Sequence, residues 1–253
     1  MIIDAHFHMG TLYRSEAPGD TFWGAERVIA RMDAHSVDKA VVQSASAFNL
    51  RANNDLINQE LKKGKGRLIG SVRVNPNDKE NCLQEIDMRI KQQGWKMIKL
   101  HPSLQCFPID SEIAFPVFEK ARELKVPVHV HACSDIFNTP AQVAIVAELF
   151  PDVTILLAHM GFSALNEQSI LAARLRPNII LETAIQCMPA IIKEAVRVIG
   201  PERVVFGSDS PYVPIEMGLN VIKAAGLTRS EEEWVLGKSM QAILDKIPSY
   251  EHP

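Results

Sequence analysis

Histidines at the ends of apolar runs could build a metal site in this sequence. The segment MIIDAHFH (1–8) ends in two histidines, His6 and His8, one residue apart. Side chains two residues apart in a strand share a face, so both imidazoles would point the same way. Imidazole nitrogens are suitable ligands for Zn²⁺ and similar ions. A single His-x-His pair is weak evidence, so other residues must complete the site.

Further polar residues end the later apolar runs. They are Arg73 and Asn75, Lys99 and His101, His129 and His131, His159, Glu182 and Asp209. Buried polar groups cost free energy unless they are paired, so a core does not gather them without compensation. A bound metal ion would supply that compensation for the set.

The elements that must position these residues alternate between strand and helix. Eight apolar runs are predicted as strands, each followed by a stretch of helical character, at 2–6, 39–45, 68–74, 96–101, 126–131, 153–159, 178–183 and 203–209. The alternation indicates a parallel α/β sheet with both faces covered. Eight units in 253 residues predict one (β/α)8 TIM-barrel domain over 1–253. A doubly wound sheet is the competing fold, but no Gly-x-Gly-x-x-Gly follows the first run.

In such a barrel the polar residues would converge, because catalytic groups sit at the carboxyl ends of the strands. The longest predicted loops, 9–23, 45–54 and 102–111, would lie over the same mouth. Near the end of the chain, Ser230 and Glu233 predict a capping box that begins the last helix.

Composition narrows the class of protein. The net charge is −3 with no block of Lys and Arg, so neither nucleic acid nor a membrane surface is an expected partner. No secretory signal or long apolar run is found, and the four cysteines (Cys82, Cys106, Cys133 and Cys187) are scattered. We therefore expect reduced thiols and a cytoplasmic location.

Five segments together resemble a known group of enzymes. They are IIDAHFHMG, IKLHP, VPVHVHA, ILLAHMG and VVFGSDSPY. In this order they resemble the amidohydrolase superfamily of TIM-barrel enzymes, in particular the amidohydrolase-related branch (amidohydrolase 2), which includes metal-dependent hydrolases and decarboxylases. The closing segment WVLGKSMQAIL also resembles that branch, although Ser239 stands where the family usually has Asn.

The resemblance implies a role for each matching residue. His6, His8, His131 and Asp209 resemble the metal ligands. Asp209 would also accept the proton of the water, and His159 would act as acid and base. His129 is the alternative ligand on the fifth strand, and Cys133 is a neighbouring thiol; both are favoured as packing residues.

The resemblance favours one divalent metal ion, Zn²⁺ with Mn²⁺ as the alternative. Relatives with two ions often bridge them through a carboxylated lysine, and Lys99 lies on the matching strand. Lys99 has two other interpretations: it pairs with Asp209 or Glu182, or it binds an acidic substrate group with Arg73 and His101. A single ion is favoured because KLHP is common in the one-metal branch.

The sequence therefore predicts a metal-dependent hydrolase that uses metal-activated water. Its substrate would be a small anionic molecule with an amide, lactone or ester-like bond. Nonoxidative decarboxylation is the alternative, although decarboxylase relatives are often longer near the first strand. A non-catalytic barrel protein is the second alternative. Family habit suggests a homodimer.

Overall fold

Nine strands carry the architecture in this computed structural model, which describes residues 1–12, 22–45, 49–133, 136–162 and 164–250. The strands are β1 (Ile3–Thr11), β2 (Phe22–Trp23), β3 (Lys39–Ser44), β4 (Leu68–Arg73), β5 (Met97–Leu100), β6 (Val128–Val130), β7 (Ile155–Leu157), β8 (Ile179–Glu182) and β9 (Val204–Val205).

Helices follow nearly every strand. Within the described ranges they are α1 (Ala25–Ala34), α2 (Leu50–Leu61), α3 (Glu80–Asp87), α4 (Pro102–Gln105), α5 (Phe115–Leu124), α6 (Pro140–Leu149), α7 (Asn166–Leu175), α8 (Pro189–Ile199), α9 (Ile215–Ala224), α10 (Arg229–Glu233) and α11 (Ser239–Leu244). Short 3-10 and π-helical stretches extend or connect several of them. In this part of the chain, each helix is too short or too polar to cross a lipid bilayer.

The parallel sheet is curled and its two edges meet. Strands β1 and β3 to β9 pair in chain order, while β2 pairs antiparallel with the outer end of β1. Ala5 N donates to Phe206 O at 2.9 Å, and Asp209 N donates to His6 O at 2.9 Å. These bonds join β1 to the segment after β9, so the predicted (β/α)8 barrel is confirmed.

The barrel interior has an apolar floor and a polar layer above it. The floor is one buried cluster: Ile3, Ala5, Val41, Met97, Leu156, Ile180, Val205 and Met240. Side chains alternate along a strand, so residues two positions beyond the floor also point inward. On β3, β5 and β8 these residues are Gln43, Lys99 and Glu182. The strands thus deliver polar groups toward the carboxyl end of the barrel.

A bulge in β1 reverses which residues face the interior. The register of β1 against β3 shifts between Asp4 and Phe7, because an advance of three residues on β1 is paired with an advance of two residues on β3. Before the bulge Ala5 joins the interior floor, whereas Phe7 packs in the larger cluster between the strands and the helices. Because of this extra residue, the side chains of Ala5 and His6 both face the barrel interior although the two residues are adjacent on β1.

The predicted capping box at Ser230 and Glu233 is wrong. The Thr228 hydroxyl accepts a hydrogen bond from Glu231 N at 3.3 Å, and the Glu231 carboxylate accepts one from Thr228 N at 2.7 Å. The backbone of Thr228 is extended, as a capping residue requires, whereas Ser230 already lies inside α10.

The three predicted loops are shorter than expected. In 9–23, β1 continues to Thr11 and pairs with β2, and residues 13–21 lie outside the described ranges. In 45–54, α2 begins at Leu50, and residues 46–48 lie outside the described ranges. In 102–111, the first four residues form α4.

A buried bond across the closure predicts a stability effect. Ser208 Oγ donates to Asp4 Oδ2 at 2.5 Å, tying β1 to the segment that carries Asp209. Ser208→Ala should lower the free energy of unfolding by about 1–3 kcal/mol, because the Asp4 carboxylate loses a buried partner. Denaturant unfolding measures this. Ser111→Ala, which removes only a local bond to Pro108 O, is the control and should cost clearly less.

Candidate metal centre

Three of the predicted ligands meet at the mouth of the barrel. His6 Nε2 lies 3.1 Å and His8 Nε2 lies 2.9 Å from Asp209 Oδ1, and the two ring nitrogens lie 3.3 Å apart. An ion with ligand bonds of about 2.0–2.1 Å separates neighbouring tetrahedral ligands by about 3.3 Å. The three atoms are therefore spaced as ligands of one ion.

The hydrogen bonds of His6 decide which of its nitrogens is available. Its Nδ1 lies 3.1 Å from Glu182 Oε2. Burial would raise the pKa of Glu182, but the charge on His6 and the contacts with His129 and His6 hold it well below its usual range. An ionised carboxylate only accepts, so Nδ1 carries the proton of the neutral ring, and Nε2 is the nitrogen that can give up its proton to bind an ion.

A positive charge is favoured between His6 Nε2 and Asp209, either as a proton on Nε2 or as a bound ion. Both atoms are acceptors when His6 is neutral, and they face each other at 3.1 Å. Burial and Lys99 lower the pKa of His6, but Asp209 and Glu182 outweigh them and the net shift is upward. The site therefore attracts a proton at the position where a metal ion would bind.

Asp209 is held ionised in the same contact. Burial would raise its pKa, but the charge on His6 and the bonds from His6 and His8 lower it well below the usual range. The side chain keeps 12% of its surface exposed at the mouth. Among the described residues no group donates to its other oxygen, Oδ2, which can therefore accept a proton.

His131 pairs with His159 instead of joining the three ligands directly. His159 Nδ1 lies 3.3 Å from Ala184 O, which only accepts, so Nδ1 carries a proton. Burial lowers the pKa of His159 to about 4 and that of His131 well below its usual range, so both rings are neutral. His131 Nδ1 therefore donates to His159 Nε2 at 3.0 Å, and His131 Nε2 keeps a lone pair.

The two predicted catalytic residues have unusual backbones. His159 has a φ of 62° and Asp209 a φ of 61°, both in the left-handed region. That region costs a non-glycine residue about 1–2 kcal/mol. Such strain persists where the surrounding structure imposes it, and it clusters at functional sites.

The predicted substrate-binding residues line the opposite side of the interior. Lys99 is 1% exposed and its Nζ has no hydrogen-bond partner within the described ranges. Burial lowers its pKa to about 7, although Glu182 and Asp209 raise it. Arg73, paired in register with Lys99, is 2% exposed, and burial lowers its pKa to about 10. The expected pairing of Lys99 with either carboxylate is thus not formed as a hydrogen bond.

His101 stacks on His131 with ring centroids 3.8 Å apart. Its Nδ1 accepts from Leu104 N at 3.4 Å. Burial lowers the pKa of His101 well below its usual range, so the ring is neutral and Nε2 carries the proton. His101 thus presents an N–H donor beside His131.

The two alternative ligands contact other residues, and within the described ranges neither ring nitrogen of His129 has a hydrogen-bond partner. His129 lies on β6, fully buried, with Nε2 3.6 Å from Glu182 Oε2. Cys133 Sγ lies 3.5 Å from Asn138 Oδ1. Their contacts agree with their interpretation as packing residues.

Glu182 is the functional residue that the sequence reasoning left without a role. It contacts His6 and His129, and His159 N donates to its Oε2 at 3.3 Å. Gly207 on the neighbouring segment makes room for it, since a Cβ there would lie 1.9 Å from Glu182 Oε1. The available signal in the sequence was Gly207 in the segment FGSD, because a glycine leaves room for a neighbouring side chain that faces the interior.

The Glu182 contact predicts an effect on metal affinity. Glu182→Gln should weaken Mn²⁺ binding about 10- to 100-fold, because a neutral amide fixes the His6 tautomer less firmly. Calorimetric titration of metal-free protein measures this. Glu85→Gln is the matched control: this buried acid bonds Arg89 outside the barrel, and its loss should leave the affinity unchanged. Equal affinities in both variants would contradict the assigned role.

Buried neutral histidines predict a pH effect. Burial lowers the pKa of His8 and His159 to about 4, from 6.5. Between these values the unfolded chain binds more protons than the folded protein, so acid favours unfolding. The contribution of these two rings to the stability of the metal-free protein should therefore fall as the pH drops from about 6.5 to about 4. Thermal unfolding across this range tests it, and His159→Asn should flatten the slope.

Comparison with solved structures supports the fold over the whole chain. A 2,6-dihydroxybenzoate decarboxylase from Rhizobium has a TM-score of 0.79 at 15% identity, covering 96% of this chain and 98% of its own. A dihydroxybenzoic acid decarboxylase from Polaromonas, with bound manganese and the inhibitor 2-nitroresorcinol, has a TM-score of 0.78 at 15% identity, covering 96% of both chains.

A hydrolase shares the same fold. A probable 2-pyrone-4,6-dicarboxylic acid hydrolase from Acinetobacter baumannii, with citric acid bound, has a TM-score of 0.73 at 14% identity, covering 96% of this chain and 99% of its own. Curated protein sequences give no match. The amidohydrolase family model matches residues 3–238, nearly the whole chain. The chain therefore belongs to the amidohydrolase family.

Proposed function

We propose that the protein is a metal-dependent hydrolase of a small anionic substrate with an amide, lactone or ester-like bond. The observation that carries this proposal is the convergence of three ligand atoms: His6 Nε2 and His8 Nε2 lie 3.1 Å and 2.9 Å from Asp209 Oδ1 and 3.3 Å from each other. This donor set suits a divalent ion. His131 is the proposed fourth ligand, because its Nε2 keeps a lone pair.

The residues around the proposed ion have distinct chemical tasks. A divalent ion held by these residues would supply Lewis-acid activation of a water and of a substrate carbonyl. Asp209 accepts a proton on Oδ2 as the water attacks. His159 would orient the reacting groups. Because its Nδ1 proton is held by Ala184 O, the ring would take up a proton on Nε2 and pass that proton to the leaving group.

The substrate is proposed to be anionic because two cationic side chains lie on the other side of the mouth. Arg73 and Lys99 lie side by side and buried, and the described residues offer neither a carboxylate hydrogen bond. Burying an unpaired charge is costly, so an anionic group of the substrate is the natural partner. His101 adds a neutral N–H donor next to them.

We propose a single ion, Zn²⁺ by the preference of imidazole ligands, with Mn²⁺ as the alternative because a relative binds manganese. A second ion on a carboxylated Lys99 is less favoured, since the unmodified lysine is the proposed partner of the anionic group of the substrate. A cytoplasmic location stays a prediction.

Nonoxidative decarboxylation is the second candidate. Two of the solved relatives with nearly full coverage are decarboxylases of dihydroxybenzoic acids. The buried Arg73 and Lys99 would hold an acid for that reaction as well.

Metal analysis with matched variants tests the proposal. Protein purified without chelator, or reloaded with Zn²⁺ or Mn²⁺, should bind about one ion per chain and turn over its substrate only when loaded. His8→Asn should lose the ion. His159→Asn should keep the ion and lose turnover by 100-fold or more, the scale of general acid–base catalysis. Failure of the wild type to bind either ion would overturn the proposal.

Two substrate panels separate the two reactions. The loaded enzyme is assayed for ring opening of lactones and for CO₂ release from aromatic and unsaturated acids. Hydrolysis predicts turnover only in the first panel. Turnover confined to the second would replace the hydrolase with the decarboxylase.

A further inference from the structure

Buried polar groups without hydrogen-bond partners among the described residues lie in the polar layer inside the barrel, at His129 on β6 and in a larger group on β3 to β5. On the side of β6 to β9, Glu182 bonds His6 and contacts His129. On the side of β3 to β5, four buried groups lack partners among the described residues: both amide atoms of Gln43, the Ser71 hydroxyl, Arg73 Nε and Lys99 Nζ. The four side chains are between 0 and 2% exposed.

These groups are contiguous because the strands hold them in register. Gln43 pairs with Ser71, and Arg73 pairs with Lys99. Ser71 and Arg73 are two residues apart on β4, so they share a face. Gln43 also pairs with His8, which places the cluster beside the proposed metal ligands.

A buried polar group without a partner costs stability, so a chain retains several together only where they bind something. Arg73 lies on the mouth side of Ser71. Its one hydrogen bond to the described residues runs from Nη1 to Ser44 O at 3.5 Å, which is long. A ligand entering from the mouth could therefore displace this guanidinium at small cost.

The donors and acceptors of the cluster define the ligand. Arg73 and Lys99 can only donate, Ser71 can do both, and Gln43 offers an NH₂ donor and an oxygen acceptor. A bare carboxylate would satisfy the donors and leave the Gln43 oxygen unpaired. A hydroxyl or N–H next to the acid group would satisfy that oxygen as well.

We propose that Gln43 and Ser71, with Arg73 and Lys99, form a subsite for an acid group that carries a neighbouring hydroxyl or N–H. This assignment rests on the proposed function, because it takes the ligand to be the substrate of the metal site. It adds Gln43 as the residue that selects a hydroxylated or amidated acid over the plain acid, and Ser71 as a further residue that holds the acid group.

Binding of matched acids to the Mn²⁺-loaded protein tests the subsite. The probes are benzoate against its 2-, 3- and 4-hydroxy isomers, and succinate against malate, measured by calorimetry. The wild type should bind 2-hydroxybenzoate or malate tenfold or more tightly than the parent acid, and the 3- and 4-hydroxy isomers should show no such gain. Gln43→Leu should reduce that preference at least tenfold, and Ser71→Ala should weaken binding of both acids.

Stability separates a binding role from a structural one. Gln43→Leu should leave the melting temperature unchanged or higher, because an unpartnered amide is replaced by an apolar group of similar size. Val42→Ala, on the same strand but packed against the helices, should lower the melting temperature and keep the preference. Ser239→Ala, a buried serine bonded to Pro201 O, is the control for Ser71→Ala and should leave acid binding unchanged.

Three results would overturn the subsite: no preference in the wild type for either probe with a neighbouring hydroxyl, an undiminished preference in Gln43→Leu, or a melting temperature of Gln43→Leu that falls as far as that of Val42→Ala. Probe binding is measured without turnover. A protein that binds metal and discriminates the acids but hydrolyses nothing would thus refute the proposed reaction and leave the subsite intact.

Discussion

The His6 imidazole is held between two carboxylates, and the rest of the site depends on that constraint. Glu182 Oε2 accepts a hydrogen bond from Nδ1, and Asp209 Oδ1 faces Nε2, each at 3.1 Å. A neutral ring has one N–H, so one of the two contacts lacks a positive partner. The chain therefore creates a place for a cation, and His8 Nε2 lies beside it.

This constraint needs a closed barrel. Glu182 ends β8, Asp209 follows β9 and His6 lies on β1, so the three meet only where the last strands return to the first. The bond between Asp4 and Ser208 and the space left at Gly207 keep that closure tight enough for the contact. The apolar floor beneath excludes competing polar partners.

The two sides of the barrel interior carry different kinds of polar groups. On one side Glu182 contacts His6 and His129, whereas the side formed by β3 to β5 holds buried cations and several polar groups without partners among the described residues. One side is suited to bind a metal ion and the other to bind an anion. A substrate in the mouth would lie between Asp209 and Lys99.

The barrel and the convergence of its strand ends could be predicted from sequence, because continuous apolar runs and their polar ends follow the period of a strand. Details set by local backbone could not. The bulge between Asp4 and Phe7 changes the facing of β1 without a signal in residue type. The extended backbone that makes Thr228 the capping residue is equally invisible beside Ser230.

Contacts between residues on different strands of the barrel were also not predictable from the sequence. Glu182 was visible as an acid at a strand end, but its contact with His6 depends on pairing across 176 residues of sequence. Gln43 looked like an ordinary polar residue in a strand, and its lack of a partner is a property of the packed interior. Sequence pattern identifies which groups reach the mouth, and the folded chain decides which of them remain unsatisfied.

The most direct test of the central claim is a crystal structure of the protein soaked with Mn²⁺, with anomalous scattering measured to locate the ion. The account predicts one strong anomalous peak in contact with His6 Nε2, His8 Nε2 and Asp209, while His6 Nδ1 stays bonded to Glu182. A peak elsewhere in the barrel, or none beside these three residues, would contradict it.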